Sequence, residues 1–296
     1  MNTRQIPDSN RDSIALVTGA NNGIGLELTR RLLGEGWQVA VLIRSNFADG
    51  DEIVQSALRE GRLRIYRAEL TDFAQLRAAL ERIKQEEPKL DVVFNNAGGS
   101  LAELSFSPQG REMHYELQTV VPYIVYRELK DLLLRGSLRT VIGTSSNAFN
   151  FVKTFDPDKL PHPSTFKQLT GAYAESKLAL SLWTRALASR EASDGIKLRS
   201  ADPGPNNTVR KGKKSGLPFP VNYLMRFFPG PAQGASRLYE AAFGPYRDKA
   251  GVLIDKKGIV DLRFAEHAQR VLDNVDRVYR EEFAAPKKTS NKGSLV

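Results

Sequence analysis

The sequence predicts an α/β fold, in which a doubly wound, mainly parallel sheet of about seven strands carries helices on both faces. Short β-branched apolar segments alternate with longer amphipathic ones along the 296 residues, which is typical of a parallel sheet covered on both sides. A glycine-rich stretch, TGANNGIG, joins the first such segment to the first amphipathic one. No internal repeat or linker divides the chain, so a single domain over residues 12–284 is expected.

The predicted strands are short, nearly continuous apolar runs, as strands buried on both faces are. In chain order they are IALVTG, WQVAVLIR, RLRIYRAEL, LDVVFNNAG, LRTVIGTSS, IKLRSADPG and GVLI. Between them, segments such as IGLELTRRLLGEG and DFAQLRAALERIKQEE repeat their apolar residues at helical spacing. A helix between successive strands predicts that neighbouring strands are parallel.

Two segments interrupt this alternation. Residues 147–171 are too long and too rich in proline for a simple connection, and residues 210–234 mix basic, proline and aromatic residues. Both follow the carboxyl end of a predicted strand, where open α/β sheets bind ligands. We expect residues 209–232 to form a lid over an apolar substrate. A membrane- or partner-binding surface and a helix packed on the body remain alternatives for this segment.

The net charge of +9 is confined to two parts of the chain. One lies between Asp202 and Glu240 and contains no acidic residue, and the other follows Glu282. The basic residues there are Arg210, Lys211, Lys213, Lys214, Arg226, Arg237, Lys287, Lys288 and Lys292. A nucleic-acid-binding protein is expected to spread such residues over one face, so nucleic acid is not an expected partner.

Cysteine is absent from the sequence, which excludes disulfides and thiolate zinc sites and suits a reducing compartment. His114, His162 and His267 have no metal-ligand spacing, so no metal is expected. The N-terminus has no apolar signal core, and no window reaches the roughly 18 apolar residues of a membrane span. We therefore expect a soluble, cytoplasmic protein with a flexible N-terminus (1–11) and a flexible basic tail (285–296).

The glycine-rich stretch is suited to binding a phosphate group. Glycine at a strand–helix junction lets the backbone approach the ligand closely, and the helix N-terminus points free N–H groups towards it. Here Gly19, Gly23 and Gly25 are spaced GxxxGxG, which differs from the GxGxxG dinucleotide-binding pattern. By itself such a loop is also compatible with a plain strand–helix turn.

Further motifs follow that loop in a fixed order. They are NNAG at residues 95–98, Ser146 in VIGTSSN, YAESK at 173–177 and PGPNNT at 203–208. Together with TGANNGIG they make the chain resemble the short-chain dehydrogenase/reductase family. GREMHYELQ, the insert before Tyr173 and PAQGA resemble its branch of retinol dehydrogenases and carbonyl reductases. The resemblance implies a Rossmann fold and a nicotinamide-dependent oxidoreductase acting on a small molecule.

Tyr173 and Lys177 are four residues apart on a predicted helix and share one face. Lowering a tyrosine pKa from about 10 to about 7 requires about 4 kcal/mol. An ammonium about 4 Å away supplies an energy of that order in a partly desolvated site. The resemblance makes Tyr173 the general acid in reduction, Lys177 the group that tunes it and holds the nicotinamide ribose, and Ser146 the donor to the substrate oxygen. Ser146 is preferred to Ser145 because the family uses the second of such a pair.

Gln118 departs from the family pattern. The resemblance places there an asparagine that helps to hold a water molecule linking the lysine to solvent, and this chain has the longer amide. Three consequences remain open: Gln118 anchors a shifted water, turnover is slow, or activity is lost. We favour the first.

The second predicted strand ends at Arg44. An NAD-binding protein carries an acidic residue at the end of this strand, and in this chain Ile43 stands at that position. A guanidinium suits a 2′-phosphate, so NADP(H) is the expected cofactor, with Arg44 and Ser45 on that phosphate. The other cofactor-binding predictions rest on the resemblance. They are Gly19, Asn21, Asn22, Gly23, Ile24, Gly25, Glu69, Leu70, Asn95, Ala97, Gly98, Tyr173, Lys177, Pro203, Gly204 and Thr208.

The sequence therefore predicts an NADP(H)-dependent oxidoreductase of a hydrophobic carbonyl or alcohol. A reductase of activated C=C bonds and a non-catalytic NADP(H) sensor or scaffold are the alternatives. Membrane contact through residues 209–232 and a homodimer through the tyrosine-bearing helix also remain open. Leu178, Leu180, Leu182 and Trp183 are the apolar residues that would serve a dimer, unless they face the chain's own core.

Overall fold

The computed structural model of the protein describes residues 10–206 and 227–285. Its strands are β1 (Ile14–Thr18), β2 (Gln38–Ile43), β3 (Leu63–Arg67), β4 (Val92–Asn95), β5 (Thr140–Thr144), β6 (Lys197–Ala201), β7 (Val252–Asp255) and β8 (Gly258–Val260). They form one sheet in the order β3-β2-β1-β4-β5-β6-β7-β8. All neighbours are parallel except β7 and β8. The prediction of a doubly wound, mainly parallel sheet is confirmed.

The eighth strand was not predicted. It is three residues long and returns antiparallel beside β7 after the turn at Lys256–Lys257, pairing Asp255 with Gly258. So short a segment has too little periodicity to predict a strand, and its pairing with β7 is a tertiary contact.

The helices alternate with the strands as expected. They are α1 (Gly23–Gly34), α2 (Glu52–Arg59), α3 (Phe73–Glu86), α4 (Met113–Tyr115), α5 (Val121–Arg135), α6 (Ala172–Arg190), α7 (Pro231–Phe243) and α8 (Ala268–Val278). A π-helical turn, Glu116–Val120, joins α4 to α5, and a second, Tyr279–Phe283, follows α8. The 3₁₀ turns are Asn147–Phe151, Ala192–Asp194 and Ala265–His267.

Apolar layers cover both faces of the sheet because successive strand residues point to opposite sides. In β1, Ile14 and Leu16 join the cluster formed with α3, α5, α6 and α8, whereas Ala15 and Val17 join the cluster with α1, α2 and α7. The β strands are thus buried on both faces, which explains their nearly continuous apolar sequences.

Helix α6 is enclosed by the rest of the chain. Its residues Leu178, Leu180, Leu182 and Trp183 are all at most 1% exposed, and α8 packs along the helix. These four side chains therefore face the chain's own core and offer no surface for a dimer. A homodimer stays a prediction without their support.

The predicted lid and chain ends fall largely outside the described residues: residues 1–9, 207–226 and 286–296 are not among them. In the two described ranges, no helix combines the length and apolarity needed to cross a membrane. Nor does any group of three or more His, Asp or Glu side chains there lie close enough to hold a metal ion.

Candidate active site

The glycine-rich loop forms a tight turn between β1 and α1. Gly19 and Gly23 have φ values of 65° and 54°, which favour glycine. A Cβ on Gly25 would lie 2.3 Å from the Gly19 carbonyl oxygen, so the packing there excludes any side chain. The N-cap side chain of Asn22 makes no capping hydrogen bond to the helix. The first-turn amides of α1 are therefore available to a phosphate, and the loop fits a dinucleotide.

The loop after β4 is fastened to this turn by Thr18 and Asn96. The Thr18 hydroxyl accepts hydrogen bonds from the backbone N–H groups of Asn96 (3.0 Å) and Ala97 (2.9 Å). In return, the Asn96 side-chain amide donates to the carbonyls of Thr18 (3.1 Å) and Gly19 (3.3 Å). Neither Thr18 nor Asn96 is among the predicted site residues, although the motifs TGANNGIG and NNAG contain them.

Ser146, Tyr173 and Lys177 come together where β5 ends and α6 begins. The Ser146 side chain lies close enough to the Tyr173 hydroxyl to lower its pKa, against the larger effect of burial. The Lys177 Nζ lies 5.9 Å from the centre of the Tyr173 ring and donates to the Thr144 carbonyl oxygen at 2.6 Å. Three residues that are far apart in sequence thus form one cluster at the carboxyl edge of the sheet.

The two adjacent serines face opposite ways, as alternation along a strand requires. Ser145 is buried, and its hydroxyl bonds to the Lys177 carbonyl (3.2 Å) and the Ser181 hydroxyl (2.8 Å). Ser146 instead caps the following 3₁₀ turn by accepting from the Ala148 N–H at 3.2 Å, and its side chain also reaches Tyr173. The geometry therefore favours Ser146 over Ser145.

The electrostatics of the cluster differ from the expectation. Burial raises the pKa of Tyr173, the Ser146 hydrogen bond opposes this rise, and the Asp202 carboxylate adds to it. Burial lowers the pKa of Lys177 to about 7, against the opposing effect of Asp202. The Tyr173 pKa is thus raised in the dinucleotide-free protein, because desolvation of the phenolate outweighs the effect of Ser146.

Gln118 lies in the π-helical turn and faces the loop after β4. Its Nε2 donates to the Gly99 carbonyl at 3.2 Å, and a Cβ on Gly98 would lie 2.7 Å from its Oε1. This Oε1 is buried and has no hydrogen-bond partner among the described residues. A buried acceptor left open beside the glycine pair fits a bound polar group. The described contacts of Lys177 do not include Gln118, and its role in holding a water stays a prediction.

Arg44 and Glu69, predicted to touch different parts of the cofactor, contact each other. The Arg44 Nη1 donates to the Glu69 carboxylate at 2.8 Å, and the Arg44 side chain is 68% exposed. The Asn21 amide holds the adjacent turn by donating to the Ser45 carbonyl (2.8 Å) and hydroxyl (2.9 Å). Arg67, which the sequence analysis missed, ends β3 and donates to the Asn46 side chain. Two guanidinium groups therefore flank this turn.

The remaining predicted cofactor contacts divide into two groups. Ala97 and Gly98 lie on the loop surface beside Gly19 and Gln118, whereas Leu70 is buried in the apolar core. The Asn95 side chain is also buried, with its amide 3.5 Å from the Pro122 carbonyl. Leu70 and the Asn95 side chain are therefore buried, and the cofactor contacts predicted for them stay predictions.

Pro203 and Gly204 form the turn after β6, and Arg237 of α7 donates to the Pro203 carbonyl at 3.1 Å. Gly204 has a φ of 71°, which glycine adopts at little cost. On the far side of this turn, Ile24 of α1 packs near Gly234. Thr208 lies outside the described residues.

A buried Glu112–His114 pair lies against Tyr173, and the sequence analysis missed its role. The His114 ring meets the Tyr173 ring edge to face, with 5.8 Å between centroids. Its Nε2 accepts from the Leu101 N–H at 3.0 Å, so Nδ1 carries the proton that is shared with Glu112 at 2.7 Å. The pair supports the tyrosine ring and fixes the loop containing Leu101.

Comparison with known proteins agrees with this arrangement. The profile of the family described as short chain dehydrogenase matches residues 13–153. Retinol dehydrogenase 12 of Bos taurus is 29% identical over 194 residues, which cover 64% of this chain and 60% of the relative. The match thus spans less than two thirds of that relative's length.

Solved structures share the fold. A 3-oxoacyl-[acyl-carrier protein] reductase from Brucella melitensis with bound NAD has a TM-score of 0.60 and 20% identity, covering 84% of this chain and 90% of its own. A blue fluorescent protein from a metagenomic library, in complex with NADPH, has a TM-score of 0.62 and 23% identity, covering 84% and 97%.

Proposed function

Because this chain belongs to the short-chain dehydrogenase/reductase family and resembles its retinol dehydrogenase branch, we propose that it is an NADP(H)-dependent oxidoreductase. Its substrate is the carbonyl or alcohol group of a hydrophobic small molecule. The observation that carries the proposal is the cluster of Ser146, Tyr173 and Lys177 at the same sheet edge as the glycine-rich loop.

Each member of the cluster has a distinct part in the proposed reaction. The nicotinamide, when bound, supplies or accepts the hydride. Tyr173 gives its hydroxyl proton to the substrate oxygen in reduction and removes it in oxidation. Ser146, whose side chain lies near the Tyr173 hydroxyl, donates to the same oxygen and stabilises the charge that develops there. Lys177 binds the ribose hydroxyls and, while protonated, favours the phenolate.

In the dinucleotide-free protein Tyr173 is in the form that reduction requires. Its pKa lies above the usual value of about 10, so the phenol keeps its proton at neutral pH and can give it to the substrate oxygen. Oxidation requires the phenolate. The positive charge of an oxidised nicotinamide would favour that form.

The preference for NADP(H) rests on the charge at the ends of β2 and β3. Arg44 and Arg67 flank the turn where a 2′-phosphate would lie. The Arg44–Glu69 pair is largely exposed, and such a pair contributes at most about 1 kcal/mol. A doubly charged phosphate can therefore replace Glu69 as the partner of Arg44.

A hydrophobic substrate is favoured by exposed apolar side chains on the segments that follow Ser146 and the loop after β4. Phe151 ends the 3₁₀ turn capped by Ser146 and is 62% exposed. Leu104 and Phe106 are also exposed, and they follow the loop that His114 fixes through Leu101. An apolar surface next to a few polar groups is typical of small-molecule sites. The proposed lid, residues 209–232, would extend this surface.

The test compares three variants of neighbouring residues. The protein is assayed with NADPH on a panel of aromatic, terpenoid and steroid-like ketones and aldehydes. We expect Tyr173→Phe and Ser146→Ala to lower kcat about 10²- to 10⁴-fold, because each removes a group that acts on the reacting oxygen. Ser145→Ala is the matched control: it removes a buried structural hydroxyl and should leave kcat within a few-fold.

Three other outcomes would contradict the proposal. Equal losses for the two serine variants would mean that the serine effect is structural. NADPH binding without turnover on any carbonyl would support a sensor or scaffold. A product reduced at C=C, identified by mass spectrometry and NMR, would support the alternative enzyme.

The cytoplasmic location and the absence of membrane contact stay predictions. Co-sedimentation with liposomes, with and without anionic lipid, tests the second. Binding that needs anionic lipid would assign the basic residues of 209–232 to a membrane surface.

A further inference from the structure

Asp202 is a buried carboxylate that the proposed reaction does not use. It follows β6 directly and is 5% exposed. Its Oδ1 accepts from the Gly204 N–H at 2.9 Å. Burial raises the pKa of the carboxylate, and the backbone N–H groups of Gly204 and Asn147 oppose this rise. The N–H of Asp202 itself donates to the Ile254 carbonyl at 2.8 Å. Two hydrogen bonds therefore hold Asp202 at the end of β6, one through its carboxylate and one through its backbone.

The strand register brings Asp202 to the same end of the sheet as the Lys177 ammonium. Thr144 pairs with Ala201 across β5 and β6, and the Lys177 Nζ donates to the Thr144 carbonyl at 2.6 Å. Asp202 is the residue after Ala201, so its carboxylate and the ammonium reach the same pair of strand ends. Lys177 itself is 4% exposed. A buried ammonium with one carbonyl acceptor is unstable as a cation unless a negative charge lies nearby.

The other charged groups around this pair are fixed by the fold. Arg237 of α7 donates to the Pro203 carbonyl at 3.1 Å, and its positive charge acts on the Asp202 carboxylate. Asp255 ends β7 and accepts from the Asn147 side chain at 3.4 Å and from the Lys257 N–H at 2.7 Å. Beyond Tyr173 lie Glu112, His114 and Glu175. Asp202 is the carboxylate whose charge acts on Lys177.

We propose that Asp202 is the counter-ion that keeps Lys177 protonated, and that it thereby sets the upper pH at which the site holds a dinucleotide. The first part rests on the strand register, on the burial of both side chains and on the charge of Asp202, and it needs no cofactor. The second part rests on the proposed function, since it assumes that Lys177 binds the cofactor ribose. Asp202 is a positioning residue in this proposal, because it acts through Lys177 and has no contact with substrate.

The first experiment measures the protonation of Lys177 directly in the dinucleotide-free protein. The lysine side chains are isotope-labelled and followed by NMR between pH 5 and 10, with Lys177→Met identifying the Lys177 signal. In the wild type this signal titrates near the pKa of about 7 given by burial. In Asp202→Asn we expect the midpoint to fall by about one pH unit or more, because an opposite charge is lost from a desolvated site.

Two variants control for charge and position. Asp202→Glu keeps the carboxylate and should restore a midpoint close to that of the wild type. Asp255→Asn removes one negative charge from the next strand end and should leave the midpoint unchanged. If Asp202→Asn does not fold, Asp202→Ser serves instead, since its hydroxyl can accept from the same backbone N–H groups. An unchanged or raised midpoint in a folded neutral variant would overturn the proposal.

The second experiment measures the Kd of NADPH against pH by quenching of tryptophan fluorescence. Wild-type binding should weaken as the pH rises through the Lys177 midpoint, and in Asp202→Asn this weakening should begin about one pH unit lower. Failure of all variants to bind any dinucleotide would contradict the proposed function and leave the NMR result as the test of Asp202. Normal binding with no change in the Lys177 titration would contradict the Asp202 proposal alone.

Discussion

The Arg44 side chain has one partner in the dinucleotide-free protein and a different proposed partner when the cofactor is bound. Without a phosphate partner its guanidinium pairs with Glu69 at 2.8 Å, and its side chain remains 68% exposed. An exposed ion pair of this kind is weak. It therefore holds the guanidinium at the end of β2 but leaves it able to bind a phosphate. The sequence predicts the cation at this position, and only the structure shows that a carboxylate from the end of the next strand competes for it.

We expect Arg44→Asp to weaken NADPH binding roughly 10- to 100-fold, because a charge-assisted hydrogen bond contributes about 1.5–3 kcal/mol. NADH binding should be unchanged or stronger, since the new carboxylate can accept from the ribose hydroxyls. Isothermal titration with both dinucleotides measures this. Glu69→Gln is the opposite control and should strengthen NADPH binding by freeing Arg44. An unchanged ratio of the two affinities in Arg44→Asp would contradict the assignment to NADP(H).

At the scale of elements, the site depends on how the ends of β1 and β4 are joined. The Thr18 hydroxyl accepts from two successive backbone N–H groups of the loop after β4, and it also lies 3.5 Å from the Phe94 carbonyl. This holds that loop against Gly19, whose Cβ, if present, would lie 2.9 Å from the Ala97 Cα. Two separate motifs are therefore one structural unit, and the position of each depends on the other.

Thr18→Val should lower the free energy of unfolding by about 1–3 kcal/mol, because it leaves two N–H groups without their acceptor. Cofactor affinity should fall as well, since the loop bordering the glycine turn is released. Urea denaturation and NADPH titration measure the two effects. Thr18→Ser keeps the hydroxyl and should stay close to the wild type in affinity. If Thr18→Val binds NADPH as tightly as Thr18→Ser, the contact between Thr18 and the loop after β4 does not contribute to cofactor binding, and this prediction is wrong.

At the scale of the whole molecule, the carboxyl edge of the sheet carries the candidate site and the amino edge carries contacts that stabilise the fold. The carboxyl edge carries the glycine loop, Ser146, Tyr173 and Asp202. At the amino edge, the buried Asp91 accepts from the N–H groups of Ile14 (2.9 Å) and Ser137 (2.7 Å) and from the Ser137 hydroxyl (2.8 Å). Asp91 thus joins the starts of β1, β4 and β5, so it stabilises the sheet at a distance from the candidate site.

We expect Asp91→Ala to lower the free energy of unfolding by roughly 3 kcal/mol at pH 7, through loss of buried hydrogen bonds to a charged acceptor. The folded protein should keep its kcat. Urea denaturation measures the stability, and Asp273→Ala, at an exposed acid on α8, should change it by no more than about 0.5 kcal/mol. A large loss of kcat in folded Asp91→Ala would contradict the division between the two edges.

The same carboxylate predicts a pH dependence. Burial raises the pKa of Asp91. The opposing effect of its hydrogen-bond donors and of Lys89 is larger, so the net shift of the pKa is downward. The donors are the N–H groups of Ile14 and Ser137 and the Ser137 hydroxyl. A carboxyl group whose pKa is lower in the folded state than in the unfolded state stabilises the protein at pH values above its unfolded-state pKa, which is about 3.9 for aspartate. This contribution is lost as the pH falls through the folded-state pKa. The stability gap between wild type and Asp91→Ala should therefore narrow below about pH 4.

The sequence by itself determined the sheet and the motifs that lie on it. Apolar runs of strand length followed by amphipathic helices permit few architectures, and the strands that carry TGANNGIG, NNAG and Ser146 all end at one edge. The pair Tyr173 and Lys177 was also predictable, because helical spacing places residues four apart on one face. These features depend on local periodicity, which a single sequence contains.

The tertiary structure decided the features that depend on contacts between distant segments. It paired Arg44 with Glu69, turned Asn95 into the core, enclosed the leucines of α6 under α8 and placed Asp202 beside Lys177. It also determined that burial raises the pKa of Tyr173 in the dinucleotide-free protein. The physical reason is that desolvation and ion pairing depend on which groups surround a side chain after the chain has folded, and the spacing of residues along the sequence does not contain that information.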